Sequence, residues 1–335
     1  MKKIFRTTYL ALLLISGLSC NNDPMPDAPK EQRPISFDNI ATRADKSDLQ
    51  ANGFGVWAVV NNDLVEDLVL MENQKVEYDN TASEWHYSPV QNWIDDSTFT
   101  FLATYPYDKD EQSFSFNEVN PSIELSVAAT PSLTDFLIAE NITDTRNEGY
   151  STTVDLQFNH VLTSVGLNIW RDGGKHQNDQ MRIKKVTLGN IRKGGVYSTA
   201  TDAWSYNNDR LKVEEVYENF SDTDNIGAAN VKDNGSLDTG GTPASPFGQM
   251  MLLPQTLDAS NSVSLKIVYE LKRQNAADWE EAELETVLPY STWKAGNRYT
   301  YNVVLSSVTD ITIYYIQTKV DPWGTPQVGG TVIIK

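Results

Sequence analysis

A two-residue rhythm of apolar side chains constrains this chain more than any other feature. Ile35, Phe37 and Ala41 share one face of a short extended segment. Similar runs follow at Phe54-Val56-Ala58-Val60, Phe99-Phe101-Ala103-Tyr105, Val154-Leu156-Phe158, Val263-Leu265-Ile267-Tyr269 and Tyr299-Tyr301-Val303-Leu305. Period two places alternate residues on one side of a pleated strand, and these runs are rich in β-branched and aromatic residues. Clusters of Asn, Asp, Gly and Ser separate them, as turns require. No long stretch carries helical spacing. Many short strands with polar turns predict an all-β chain of packed sheets, and 335 residues suffice for two such units.

Charge and composition narrow the function. Acidic residues number 45 against 27 basic ones, a net charge of −18, which repels phosphate backbones and argues against nucleic-acid binding. One cysteine allows no disulfide within the chain and no cysteine-rich zinc site. Nucleotide-binding glycine loops, zinc-protease and serine-hydrolase motifs are all missing from the sequence. No cofactor and no metal site is expected, and no catalytic residue is assigned. His160 follows an apolar strand and reads as a core histidine with a backbone partner. Asp95-Asp96 and Glu280-Glu281 are acidic pairs that could suggest glycoside hydrolysis. Neighbours in a strand point to opposite faces, however, so they read as solvated side chains.

The N-terminus reads as an export signal. Lys2, Lys3 and Arg6 precede the apolar stretch Tyr9–Leu18, which is too short to span a bilayer and ends in Gly17-Leu18-Ser19-Cys20. Small residues before a lone cysteine fit a lipoprotein site. Cys20 is therefore the expected lipidation position, with lipoprotein signal peptidase and acyltransferases as partners and the outer membrane as the anchor, reached through lipid. Residues 20–43 then carry Pro24, Pro26, Pro29 and Pro34, a spacer ending in the Ile35–Ala41 run. A seam is expected at Thr143–Ser151, where polar residues break the apolar pattern. Asn219–Ala244 reads as a polar surface loop. Its Asp222, Asp224 and Asn225 lack the spacing of a calcium loop.

Several phrases resemble the fimbrillin family of Bacteroidales, the subunits of lipoprotein-derived (type V) pili. They are Gly55-Val56-Trp57-Ala58, Glu84-Trp85-His86-Tyr87, the stretch Phe99–Pro106, Asp135–Ala139, Leu156–Leu162, Met250–Gln255 and Trp293–Tyr301. The resemblance implies two tandem transthyretin-like β-sandwich domains, here 44–148 and 149–307, after a signal peptide at 1–19 and a removable strand within 20–43. It also implies lipidation, export to the cell surface, cleavage by an arginine-specific protease, and assembly with other pilin subunits by donor-strand exchange. On that basis Arg43–Ala44 is the expected cut, with Arg33 the fallback, and Ile35, Phe37 and Ala41 mark the strand removed.

The C-terminal segment 308–335 is the expected donor. Ile311, Ile313 and Tyr315 form one stripe, and Val332 and Ile334 another after Gly329-Gly330. Ile311–Val320 can equally close its own sandwich. The reading is thus a pilus subunit without enzymatic activity that supports adhesion. The alternative is a surface lipoprotein that binds glycans, with some of the eight tryptophans as stacking platforms.

Overall fold

The computed structural model describes residues 33–42, 46–64, 68–110, 112–118, 120–128, 130–131, 134–147, 149–174, 178–216, 225–232, 237–305 and 313–322. The protein is all-β. Its first half supplies β1 (Ser36–Thr42), β2 (Phe54–Asn61), β3 (Leu68–Asp79), β4 (Glu84–His86), β5 (Thr98–Tyr105), β6 (Phe114–Asn117), β7 (Ser122–Val127), β8 (Leu137–Asp144) and β9 (Thr153–His160). The second half begins with β10 (Thr163–Asp172), β11 (Gln180–Arg192), β12 (Gly195–Ser198), β13 (Ala203–Tyr206), β14 (Arg210–Val216), β15 (Ala228–Val231) and β16 (Leu237–Gly240). It continues with β17 (Gln249–Leu252), β18 (Gln255–Leu257), β19 (Ser264–Lys272), β20 (Glu280–Val287), β21 (Ser291–Trp293), β22 (Asn297–Leu305) and β23 (Ile313–Pro322). One short helix, α1 (Lys46–Asn52), seats Leu49 in the core. It ends at Gly53, whose φ of +70° and whose approach to the Val76 carbonyl leave no room for a side chain.

Seven strands form the first sheet in the order β1-β9-β8-β5-β2-β3-β4, and only the β1–β9 pair among them is parallel. Its inner face carries a core built on Phe54, Phe99, Phe101 and Phe158. A second core lies among β10, β11, β17, β19 and β22, with Trp293, Tyr269 and Tyr301 as its largest members. The alternation read from the sequence is what these cores use. β9 and β19 switch between buried and less buried at every residue. β2 departs from it, with seven consecutive buried residues. Its outer face is covered by a third core that gathers Trp57, Leu102, Leu125 and Leu253.

Two expectations need revision. The phrase Leu156–Leu162, within the expected second domain 149–307, is expected to open that domain, yet β9, which carries Leu156 and Phe158, pairs with β1 and β8 and packs in the first core. The change of core falls between His160 and Val165, past the seam at 143–151. The hairpin β12–β13 then reaches back to pair with β7, Gly195 opposite Val127. The second revision concerns Asn219–Ala244, which is not simply a loop. It contains β15 and β16, and β15 extends the β10 edge. Ile226 and Ala229 are buried there, enough apolar anchoring to dock an otherwise polar hairpin. The Asn225 carboxamide accepts the Met181 N–H at 2.7 Å. Asp222 and Asp224 lie outside the described residues, and no cluster fit to hold a metal occurs among those described.

Candidate strand-exchange groove

Residues 33–42 lie between two different neighbours. At the leading end, the Ile35 N–H donates to the Gln91 carbonyl at 2.9 Å, and the Trp93 N–H donates to the Arg33 carbonyl at 2.9 Å. From Ser36 onward the segment runs parallel to β9, Ser36 opposite Thr153 and Thr42 opposite Phe158. The Ser36 and Thr153 hydroxyls meet at 2.9 Å. Removing this segment would therefore expose two backbone edges together, the β9 edge and the 91–93 edge.

The floor beneath it is aromatic. Phe37 is 1% exposed and meets Tyr87, Phe101 and Phe54 edge-on, with ring centroids 5.4, 6.1 and 6.3 Å away. Ile35 is buried beside it. The Tyr87 hydroxyl donates to the Ile35 carbonyl at 3.0 Å. The Trp93 indole N–H donates to Thr152 at 3.0 Å, which ties the two walls together. Burial pushes the Tyr87 phenol above the ordinary tyrosine range, partly offset by its bond to Gln91. The stability this contributes is complete below the ordinary tyrosine range and is lost as pH rises through the raised value.

Strict alternation from Ile35 and Phe37 does not include Ile40, yet Ile40 is buried. A register irregularity between Ser36 and Asn39 shifts the phase by one. Sequence reasoning missed Ile40 for this reason. The available signal was a large apolar residue breaking the rhythm beside a small one. The Ala41 backbone pairs opposite Gln157.

Arg33, the fallback cleavage position, is engaged. Its guanidinium contacts the Asp95 carboxylate and lies 5.2 Å from the Tyr150 ring centroid, while its carbonyl is bonded to Trp93. A protease needs both groups free, so Arg33 reads as an anchor. Both partners of the ion pair are more than a third exposed. Asp95→Asn is expected to lower the unfolding free energy by no more than ~1 kcal/mol, measured by urea titration.

The other expected residues fall elsewhere. Cys20, Arg43, Ala44, Ile311, Val332 and Ile334 lie outside the described residues. Ile313 and Tyr315 belong to β23, whose backbone pairs antiparallel with β22 at the edge of the second-half sheet. His160 has a fully buried ring with Nδ1 2.7 Å from the Asp135 carboxylate, so its contact includes an acidic side chain beyond the backbone partner expected. Glu281 on β20 contacts Lys184 at 2.5 Å on the surface. Trp57, Trp85, Trp93, Trp170 and Trp293 are buried in the cores.

The profile of the fimbrillin-like family matches residues 42–323. The chain belongs to the fimbrillin-like family. Its fold is similar to that of a fimbrial protein from Bacteroides vulgatus, with a TM-score of 0.63 at 18% identity over 87% of this chain and 99% of that one. A candidate cell adhesion protein from Bacteroides uniformis is similar at a TM-score of 0.51 and 17% identity, again over 87% and 99%. A comparison with curated proteins finds no match. The fimbrillin-like match begins at Thr42, so the groove-filling segment lies almost wholly before it.

Proposed function

We propose that this fimbrillin-like protein is a structural subunit of a cell-surface pilus, assembled by strand exchange at the groove now filled by residues 33–42. The observation that carries the reading is β1 itself. It is an edge strand with Ile35, Phe37 and Ile40 buried, paired parallel to β9, and followed at once by Arg43-Ala44. A cut at that bond separates the strand from the rest of the chain without breaking any other element. An incoming strand then satisfies the exposed backbone and refills the apolar positions, the strand-addition mode of recognition. The C-terminal segment 308–335 supplies it, and adhesion by the finished fibre follows. Acylation of Cys20 holds the precursor at the outer membrane until the cut. Five of the eight tryptophans are buried and offer no exposed stacking face, which supports this reading over glycan binding.

The decisive experiment is Arg43→Ala. The variant is expected to reach the surface, keep residues 20–43, and form no fibres by electron microscopy. Normal fibres built from uncut variant would rule the mechanism out. Cys20→Ser should separately lose lipid labelling and the membrane-attached precursor.

A further inference from the structure

The phase shift in β1 defines what the groove accepts. Its apolar positions are the first, third and sixth of a short stretch, Ile35, Phe37 and Ile40, with a small hydroxyl residue second, facing Thr153. Residues 35–43 read ISFDNIATR, and residues 311–319 read ITIYYIQTK. Ile311 and Ile316 repeat Ile35 and Ile40, and Thr318 repeats Thr42. Thr312 matches Ser36 in its hydroxyl, Ile313 matches Phe37 in being apolar, and Lys319 matches Arg43 in charge. The spacing agrees only when the irregularity of β1 is included, which is why a simple alternating stripe of Ile311, Ile313 and Tyr315 hides it. Val332 and Ile334 align with the apolar pair Ile35 and Phe37, but Ile333 then stands in the place of the Ser36 hydroxyl.

We infer that residues 311–316 of a second copy of this chain enter the groove in the register of residues 35–40. Ile313 takes the aromatic pocket of Phe37, Ile316 takes the place of Ile40, and the Thr312 hydroxyl faces Thr153. This rests on the strand-exchange reading above and fixes its occupant and register. It has two consequences. In the subunit, Ile313 and Ile316 pair opposite Leu305 and Val303 as part of β23. The segment therefore has two mutually exclusive pairings, its own β22 or the neighbour's β9. Lys319 stands where the cut residue Arg43 would be, so a protease specific for arginine leaves the seated donor whole.

Paired cysteines in the full-length chain test the register. Fibres carrying Thr153→Cys with Thr312→Cys should give covalent ladders on non-reducing gels after mild oxidation, and Thr153→Cys with Ile333→Cys should stay monomeric. In the uncut Arg43→Ala precursor, Ser36→Cys with Thr153→Cys should close an intramolecular bond, showing that position 153 is folded and reactive. Ladders from position 333 in place of 312 would overturn this register and leave strand exchange by the C-terminus standing. Assembled fibres with ladders from neither position would overturn both. Independently, Ile316→Asp should be exported and cut yet fail to elongate, and normal fibres from that variant would overturn the assignment of Ile316.

Discussion

Removal of residues 1–43 from the folded subunit is expected to lower its unfolding free energy by roughly 5–9 kcal/mol. The estimate comes from three buried side chains, Ile35, Phe37 and Ile40, at about 1.5–3 kcal/mol each. Lost pairing to Thr152, Gln91 and the β9 edge adds to it. A typical domain has only about 5–15 kcal/mol in total, so the stripped subunit should be marginal. Urea titration of the intact precursor and of protein cut after Arg43 and freed of its N-terminal fragment measures the difference. A synthetic peptide of residues 33–42 should restore the midpoint in proportion to the logarithm of its concentration, because it binds only the folded groove. Equal midpoints before and after removal would mean that β1 covers nothing the fold depends on.

The size of that loss explains why such a subunit would assemble. The precursor holds its own stabilising strand covalently and has no need of a partner. Under the proposed cut, another chain would supply the same contacts, so association would recover what cleavage removed. No disulfide within the chain can take over this role, since the sequence has a single cysteine. In the proposed exchange the donor would have to leave β22 to reach the groove, a competition between two edges. The groove adds an aromatic pocket and a second flanking backbone at 91–93, whereas β23 pairs with β22 alone among the described residues.

Much of the architecture was legible because burial on one face leaves a period-two trace. β9 and β19 could be read residue by residue. What was hidden involves contacts that alternation does not encode. The seven buried residues of β2 require a covering layer, and nothing local shows that β7 and the β12–β13 hairpin provide it. β9 joins the first sheet because β8 and β1 flank it, a non-local choice made beyond the polar break at 143–151. In the groove, Ile35 and Phe37 were legible and Ile40 was not, because a bulge changes phase without a glycine or proline to mark it.

Trp57→Ala tests the hidden layer and is expected to cost ~3–5 kcal/mol, the range for emptying a buried aromatic site. Trp57 is 1% exposed, opposite Leu102 in the β2–β5 pair, with its ring 6.0 Å from that of Phe116. It belongs to the core cluster that also holds Ile138 from the first sheet, Leu125 from β7, Leu162 after β9 and Leu253 after β17. Elements far apart in sequence thus meet in one cluster, of which Trp57 is the largest fully buried member. Trp57→Phe should cost much less. It keeps most of the ring and removes an indole N–H that finds no acceptor among the described residues. Urea midpoints should therefore fall in the order native, Phe, Ala. Equal losses for the two variants would show that the indole's outer ring, and not the filled volume as a whole, holds the layers together. Trp57 faces away from the groove, which lies on the opposite side of the same sheet. Cut Trp57→Phe protein should accordingly still bind the 33–42 peptide with native affinity, which separates a defect between the cores from a defect in strand exchange.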